Sequence, residues 1–175
     1  MRLVVQRVTR ASVSVDEEIV GEISKGLCVL VGIRKDDTPA DAEWCRDRIL
    51  KTNFWPDDQG KPWKRSVATG GYDVLCVSQF TLFAEIKRKK GQKDLDFRNA
   101  MGSDAARVFY ATFLDDLRTG LAADATLADG RFGAMMDVSL VNDGPVTLSL
   151  DSRDGNGLTP VDGPPPPDAA TASAG

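Results

Sequence analysis

Apolar and polar positions alternate from the start of the chain. Leu3-Val4-Val5-Gln6-Arg7-Val8 and then Ala11-Ser12-Val13-Ser14-Val15 read as strands, with Val13 and Val15 sharing a face. A turn at Asp16-Glu17-Glu18 leads into Ile19-Val20-Gly21-Glu22-Ile23. After Gly26, Leu27-Cys28-Val29-Leu30-Val31-Gly32-Ile33 is apolar at successive positions, the pattern of a central strand buried on both faces. Periodicity then changes. Thr38 reads as an N-cap before Pro39, and Ala42, Cys45 and Ile49 recur at helical spacing through residues 40–51. Phe54-Trp55-Pro56 reads as a short strand, followed by a solvated turn at Asp57-Asp58-Gln59-Gly60. A strand over 73–80 precedes a second helix, capped by Ser103, whose stripe is Ala106, Phe109, Phe113, Leu117 and Leu121. Strands over 137–141 and 146–150 close the pattern.

Two places break the alternation. Asn142-Asp143-Gly144-Pro145-Val146-Thr147 sets a Gly-Pro pair inside strand-like sequence, and proline donates no ladder hydrogen bond, so the chain must leave the sheet there. Asp-Gly is also a strong hairpin signal, which makes a plain turn the simpler reading. The other place is Ser78-Gln79-Phe80-Thr81-Leu82, where a strand ends in hydroxyl, amide and hydroxyl side chains. Such an end reads as a site.

A length of 175 residues fits one domain with its own core. No run reaches the ~18 apolar residues of a membrane helix, and Arg2 and Arg7 interrupt the amino-terminal segment, so a cytoplasmic protein with no membrane partner is expected. Cys28, Cys45 and Cys76 share no Cys-x-x-Cys spacing and read as reduced and mostly buried. The chain has no histidine, which removes the usual general base and the commonest transition-metal ligand. No metal or cofactor is expected, since no clustered ligand set, Walker loop or Gly-x-Gly-x-x-Gly is present. An enzyme of this composition works chiefly by positioning and backbone dipoles.

The net charge of −4 argues against a nucleic-acid partner, but Asp151, Asp154, Asp162 and Asp168 against Arg153 account for most of it. The first 150 residues are close to neutral. Lys87-Arg88-Lys89-Lys90, with Lys93, is a concentrated cationic run that reads as a solvated loop or as an anion-binding element. Lys61-Pro62-Trp63-Lys64-Arg65 mixes cations with an aromatic and reads as a face for nucleic acid or as an amphipathic loop covering the core. Residues 151–175, with Pro164-Pro165-Pro166-Pro167, lack apolar periodicity and read as a flexible tail after a domain over 1–150.

The two unusual segments, together with Val5-Gln6-Arg7-Val8-Thr9-Arg10-Ala11-Ser12-Val13, Gly26-Leu27, Lys90-Gly91, Asp96-Phe97 and Gly130-Arg131-Phe132-Gly133-Ala134, resemble the D-aminoacyl-tRNA deacylase (D-tyrosyl-tRNA deacylase) family from Met1 to about Leu150. The resemblance implies an α/β fold, a single-domain three-layer β/β/α structure with mixed, largely antiparallel sheets and two main helices. It implies a homodimer whose active sites are completed across the subunit interface. The expected partner is the aminoacyl-tRNA 3′ end and the expected reaction is hydrolysis of its ester, a chiral proofreading step.

Carried over by residue, Gly144 and Pro145 are the chiral gate with a cis peptide bond, and Arg7 supports the gate. Ser78, Gln79, Phe80 and Thr81 form the reaction-centre wall, while Phe132 and Met136 line the terminal-adenosine pocket or belong to the ordinary core. A backbone N–H near Phe80 is expected to stabilise the oxyanion, with the substrate's 2′-OH assisting water. The competing assignment makes Thr81 a nucleophile, which needs a base that a chain without histidine does not supply. Two other function classes stay open: a non-catalytic DNA-binding protein of the same family, and a β-rich scaffold whose motifs are only turns.

Overall fold

The computed structural model describes residues 1–89 and 92–154. The expected strands at the start are one strand, β1 (Arg2–Val15), because Thr9 and Arg10, though exposed, are not turn residues and β8 (Asp137–Asp151) pairs alongside them. The first half of β1 pairs antiparallel with β3 (Gly26–Gly32), and its second half with β2 (Glu18–Ile23). Asp16 and Glu17 make the intervening turn at φ 51° and 67°. β3 lies parallel to β4 (Asp73–Ser78), which lies parallel to β7 (Leu127–Asp129). The order β2-β1-β3-β4-β7, with β8 on β1, forms a six-stranded mixed sheet.

Alternation along β3 and β4 sorts the core into two clusters. Leu27, Val29, Val31, Val74 and Cys76 pack with Ile49, Tyr110, Phe113 and Leu117 of the helices α1 (Pro39–Lys51) and α3 (Ser103–Thr119). Cys28, Leu75 and Val77 pack on the opposite face with Val8, Ala11, Val13 and Ile23. β2 passes close to β7: a Cβ on Gly21 would lie 2.3 Å from the Asp129 carbonyl oxygen, so only glycine allows this approach. The result is the expected β/β/α layering with two main helices; a third, α2 (Val67–Gly70), is one turn long. All three cysteines are free and buried.

Element ends follow local chemistry. Thr38 and Asp41 form a capping box at α1, Asp41 Oδ2 accepting from the Thr38 N–H at 2.8 Å. The cap of α3 is Gly102, one residue before the expected Ser103, and Leu121 falls beyond the helix end. The described part of the cationic run, residues 87–89, is not a loop. It builds a two-stranded ribbon, β5 (Glu85–Lys89) and β6 (Gln92–Asp96), in which Arg88 is registered opposite Lys93. Lys90 and Gly91 of the run and of the Lys90-Gly91 motif lie outside the described residues.

The expected end of the fold at residue 150 moves outward. Arg2 Nε donates to Asp151 at 2.8 Å, Ser152 Oγ accepts from the Met1 ammonium at 2.6 Å and donates to Asp41 at 2.6 Å, and Arg153 pairs with Asp36 at 2.8 Å. The Met1 ammonium also meets Asp37 at 2.7 Å, both groups fully inaccessible. Residues 155–175, most of the expected tail, lie outside the described residues. Among the described residues, no helix is long and apolar enough to cross a membrane.

Candidate functional site

β4 ends at Ser78, level with Val31 of the parallel neighbour β3. The Gln79 N–H still donates to the Val31 carbonyl at 2.7 Å, and the chain then tightens into a 3-10 turn over Phe80–Phe83. Leu82 N–H donates to Gln79 O at 3.2 Å, and Arg2 Nη1 donates to Leu82 O at 3.0 Å. A Cβ on Gly32 would come within 2.8 Å of the Leu82 Cβ, so glycine there lets the turn sit against β3.

The turn opens toward solvent. Phe80 is 57% exposed, its ring 5.0 Å from that of Phe97. Gln79 Nε2 donates to Thr81 Oγ1. The N–H groups of Phe80 and Thr81, first in the turn, have no acceptor among the described residues. No titratable group hydrogen-bonds Thr81 among them either. Thiol chemistry is absent from this end: burial pushes Cys28 up to about 11 and Cys45 up to about 12, and holds the wholly buried Cys76 well above the ordinary thiol value, so none ionises near neutrality.

The second segment leaves the ladder as the proline requires, and it is a bulge rather than a hairpin turn. Pairing of β8 with β1 steps from Val8↔Asn142 to Gln6↔Thr147, so residues 143–146 stand opposite Arg7 alone. The Gly144–Pro145 peptide is cis and both residues are exposed. Arg7 Nε donates to the Asp143 carbonyl at 3.1 Å and lies 3.2 Å from its carboxylate, while Nη1 donates to the Phe54 carbonyl and the guanidinium lies 5.9 Å from the Trp63 ring centre. Gly144 sits at φ 121°, and a Cβ there would be 3.0 Å from Arg7 Nη2.

The residues therefore fall into two groups. Arg7 is registered with Leu27 of β3, whereas Ser78 is registered with Val31, four residues along. At a rise of about 3.3 Å per residue the two levels are about 13 Å apart. In the chain, the bulge and the Phe80 turn occupy different levels of the sheet.

Phe132 belongs with the turn. β7 runs parallel to β4, Cys76 opposite Asp129, and the Gly130 N–H donates to Cys76 O at 3.3 Å, so the segment carrying Phe132 leaves the sheet at the same end as Ser78. Met136 covers Gly130, where a Cβ would meet its Sδ at 2.6 Å, and packs on the inter-sheet cluster. Sequence reasoning missed what supports Phe132. The Tyr110 ring lies 5.7 Å from it, and the Tyr110 hydroxyl donates to Asp129 at 2.7 Å. Burial raises the Asp129 carboxyl above the usual carboxylate range despite bonds from Tyr110 and Gly130. The signal was faint: Tyr110 lies just beside the apolar stripe of α3. An apolar groove between α1 and α3, lined by Pro39, Met101 and Phe109, lies on the helix layer and holds none of these groups.

The profile of the family described as D-Tyr-tRNA(Tyr) deacylase matches residues 4–151. A D-aminoacyl-tRNA deacylase of Yarrowia lipolytica is 49% identical over 154 residues, covering 87% of this chain and 98% of the relative. The human D-aminoacyl-tRNA deacylase 1 is 45% identical over 152 residues, covering 87% and 70%. The solved structure of a protein named c-Myc DNA Unwinding Element Binding Protein superposes with a TM-score of 0.77 at 43% identity, covering 86% of this chain and 98% of that one. On a profile match spanning both the Phe80 turn and the Gly144–Pro145 bulge, the chain belongs to the D-Tyr-tRNA(Tyr) deacylase family.

Proposed function

We propose that the chain hydrolyses the ester of D-aminoacyl-tRNA, releasing the amino acid and tRNA, and that a second copy of the chain completes each site. The observation that carries this reading is the separation of the two groups. A bulge braced by Arg7 projects from the sheet about 13 Å from the Phe80 turn, and a partner protomer's bulge is what brings Gly144 and Pro145 to that turn. Among the described residues β8 pairs with β1 alone, and its exposed Val138 and Val141 give a dimer partner apolar surface to cover. A homodimer in the cytoplasm is the expected working form.

In this mechanism, water attacks the ester carbonyl with the substrate's 2′-OH assisting its deprotonation. The oxyanion forms opposite the unpartnered N–H groups of Phe80 and Thr81. The bond to the 3′ oxygen then breaks, and that oxygen takes up a proton. Ser78 and Gln79 shape the wall, and Gln79 holds the Thr81 hydroxyl as an acceptor. The main-chain carbonyls of Gly144 and Pro145 occupy the space an L side chain requires, whereas a D side chain points outward. Glycyl-tRNA has no side chain to exclude and is also a substrate. Phe132 and Met136 line the pocket for the terminal adenosine. No metal or cofactor takes part.

The test is release of D- against L-tyrosine from charged tRNA. Preferential release of D-tyrosine supports the reading, and equal rates overturn the gate. A second reading, non-catalytic DNA binding, is favoured by the like-charge register of Arg88 and Lys93 and by the DNA binding for which the 43%-identical protein is named. It requires steeply salt-dependent DNA affinity with no ester hydrolysis.

A further inference from the structure

The rim of the Phe132 segment holds a cation that none of the chemistry above uses. Arg107 projects from α3 one turn before Tyr110, and its guanidinium carbon lies 4.8 Å from the centre of the Phe132 ring. A Cβ on Gly133 would be 3.7 Å from Arg107 Nη2, so the guanidinium spans Phe132 and Gly133. Arg107 is exposed and has no ion-pair partner within 4.0 Å among the described residues, although Asp104 lies one turn before it on the same helix. Arg131, next to Phe132, is likewise exposed and unpaired there. The nearby Asp129 carboxylate is engaged by Tyr110 and Gly130. One guanidinium without an ion-pair partner among the described residues thus lies against a half-buried aromatic ring at the carboxyl end of parallel strands, with Arg131 next to that ring in the chain.

A ring that stacks a base beside a planar fork that pairs with phosphate oxygens is the chemistry that recognises a nucleotide. We infer that Arg107 binds the phosphodiester immediately 5′ of the terminal adenosine of the tRNA and so sets the register of the ester against the Phe80 turn. This rests on the adenosine reading of Phe132 proposed above. Arg107 is a positioning residue, and the fork, not only the aliphatic stem over the ring, carries the role.

The test compares deacylation of D-tyrosyl-tRNA with that of D-tyrosyl-adenosine, which has no phosphate, for the wild-type protein, Arg107→Met and Arg107→Lys. Arg107→Met should raise KM for the tRNA about tenfold or more and lower kcat by a smaller factor, because an ester out of register turns over more slowly. The slope of log KM against log salt should fall by about 0.7, the share of one single-stranded phosphate. Arg107→Lys should restore the slope and part of KM, and D-tyrosyl-adenosine should respond less than twofold to either change. An unchanged salt slope in Arg107→Met, or equal losses on both substrates, overturns the inference and leaves packing on Phe132 as the role. If the wild-type protein cleaves neither substrate, the deacylase reading fails separately, and the same slope comparison on uncharged tRNA binding still decides Arg107.

Discussion

Arg7 grips Asp143 twice, by the carbonyl at 3.1 Å and by the carboxylate at 3.2 Å. Its other arm reaches the Phe54 carbonyl, so one guanidinium ties the β8 bulge to β1 and to the segment after α1. A bulge of four residues in an exposed strand has little else to fix it. It is restrained by this side chain and by the fixed φ of proline.

Arg7→Lys keeps the charge and loses the fork. The Asp143 and Phe54 carbonyls cannot both be reached by one ammonium, and the variant should lose about 1–3 kcal/mol of stability. Turnover of D-tyrosyl-tRNA should persist while the D-over-L ratio falls. Urea unfolding and paired D and L assays read the two effects. An unaltered ratio in a destabilised variant removes Arg7 from the gate.

Gly144→Ala strikes the same contact from the other side. An alanine at φ 121° adopts a backbone conformation that L residues rarely hold, and its methyl would lie 3.0 Å from Arg7 Nη2 and from Val146 Cγ2. The cost should be about 1–3 kcal/mol, with a fall in D-over-L discrimination larger than the fall in D turnover. Full stability with full discrimination would show that the bulge has freedom its contacts deny.

These contacts mark how far the sequence could be read. The unbroken apolar run in β3 announced a strand covered on both faces, and Pro145 announced the departure from the ladder, because both are properties of the residues themselves. The β5–β6 ribbon was invisible, since its alternation is built of charges with one apolar residue per strand, Ile86 and Leu95, each more than half exposed. Continuity of β1 through Thr9 and Arg10 depends on β8 pairing alongside, as in Arg10↔Val141. Asp151, Ser152 and Arg153 have no apolar period and are held largely by partners from the first part of the chain, Met1, Arg2, Asp36 and Asp41. The residue types of both site segments were legible, but their separation was not, because the register of β1 on β3 fixes it.

Thr81→Val tests whether any side chain attacks the ester. The hydroxyl is bound by the Gln79 amide, which donates and cannot accept the hydroxyl proton through that nitrogen. The variant should keep turnover within about tenfold, the loss reflecting a displaced Gln79. Complete inactivity, together with an acyl-enzyme trapped on the wild-type protein alone, would restore Thr81 as nucleophile.

Acid should loosen the chain termini first. Burial pushes the Asp41 carboxyl up, but the Ser152 hydroxyl, the Thr38 N–H and hydroxyl, and the Met1 ammonium outweigh it and hold Asp41 down at about 2. Asp151 is lowered too, burial again being overcome, here by Arg2 and the Arg153 N–H. Carboxyls lowered in the folded state contribute stability that is complete above their ordinary value of about 4 and is lost as pH falls through the folded value. Stability should therefore decline between about pH 4 and pH 2, and Asp41→Asn should flatten that decline. Urea midpoints across this range check it, and identical acid slopes in both proteins would contradict the assignment.

Asp129 runs the opposite way. Burial raises its carboxyl, and the Tyr110 hydroxyl, the Gly130 N–H and Arg118 do not offset that. A carboxyl raised on folding contributes stability that is fully present below its ordinary value near 4 and is lost as pH rises through the folded value. Once ionised, the group is a cost within the fold. Asparagine keeps an oxygen for the Tyr110 hydroxyl and cannot ionise, so Asp129→Asn should remove the loss of stability above pH 4 and be as stable as the wild-type protein, or more so, at pH 7. Tyr110→Phe does the reverse: it leaves the carboxylate short of a donor and should cost about 1–3 kcal/mol at neutral pH. The measurement is the difference in urea midpoint between variant and wild type from pH 4 to 8. If Asp129→Asn loses ground to the wild-type protein as pH rises, the charge-assisted bond from Tyr110 outweighs the burial of the carboxylate, and Asp129 stabilises the fold in its ionised form instead.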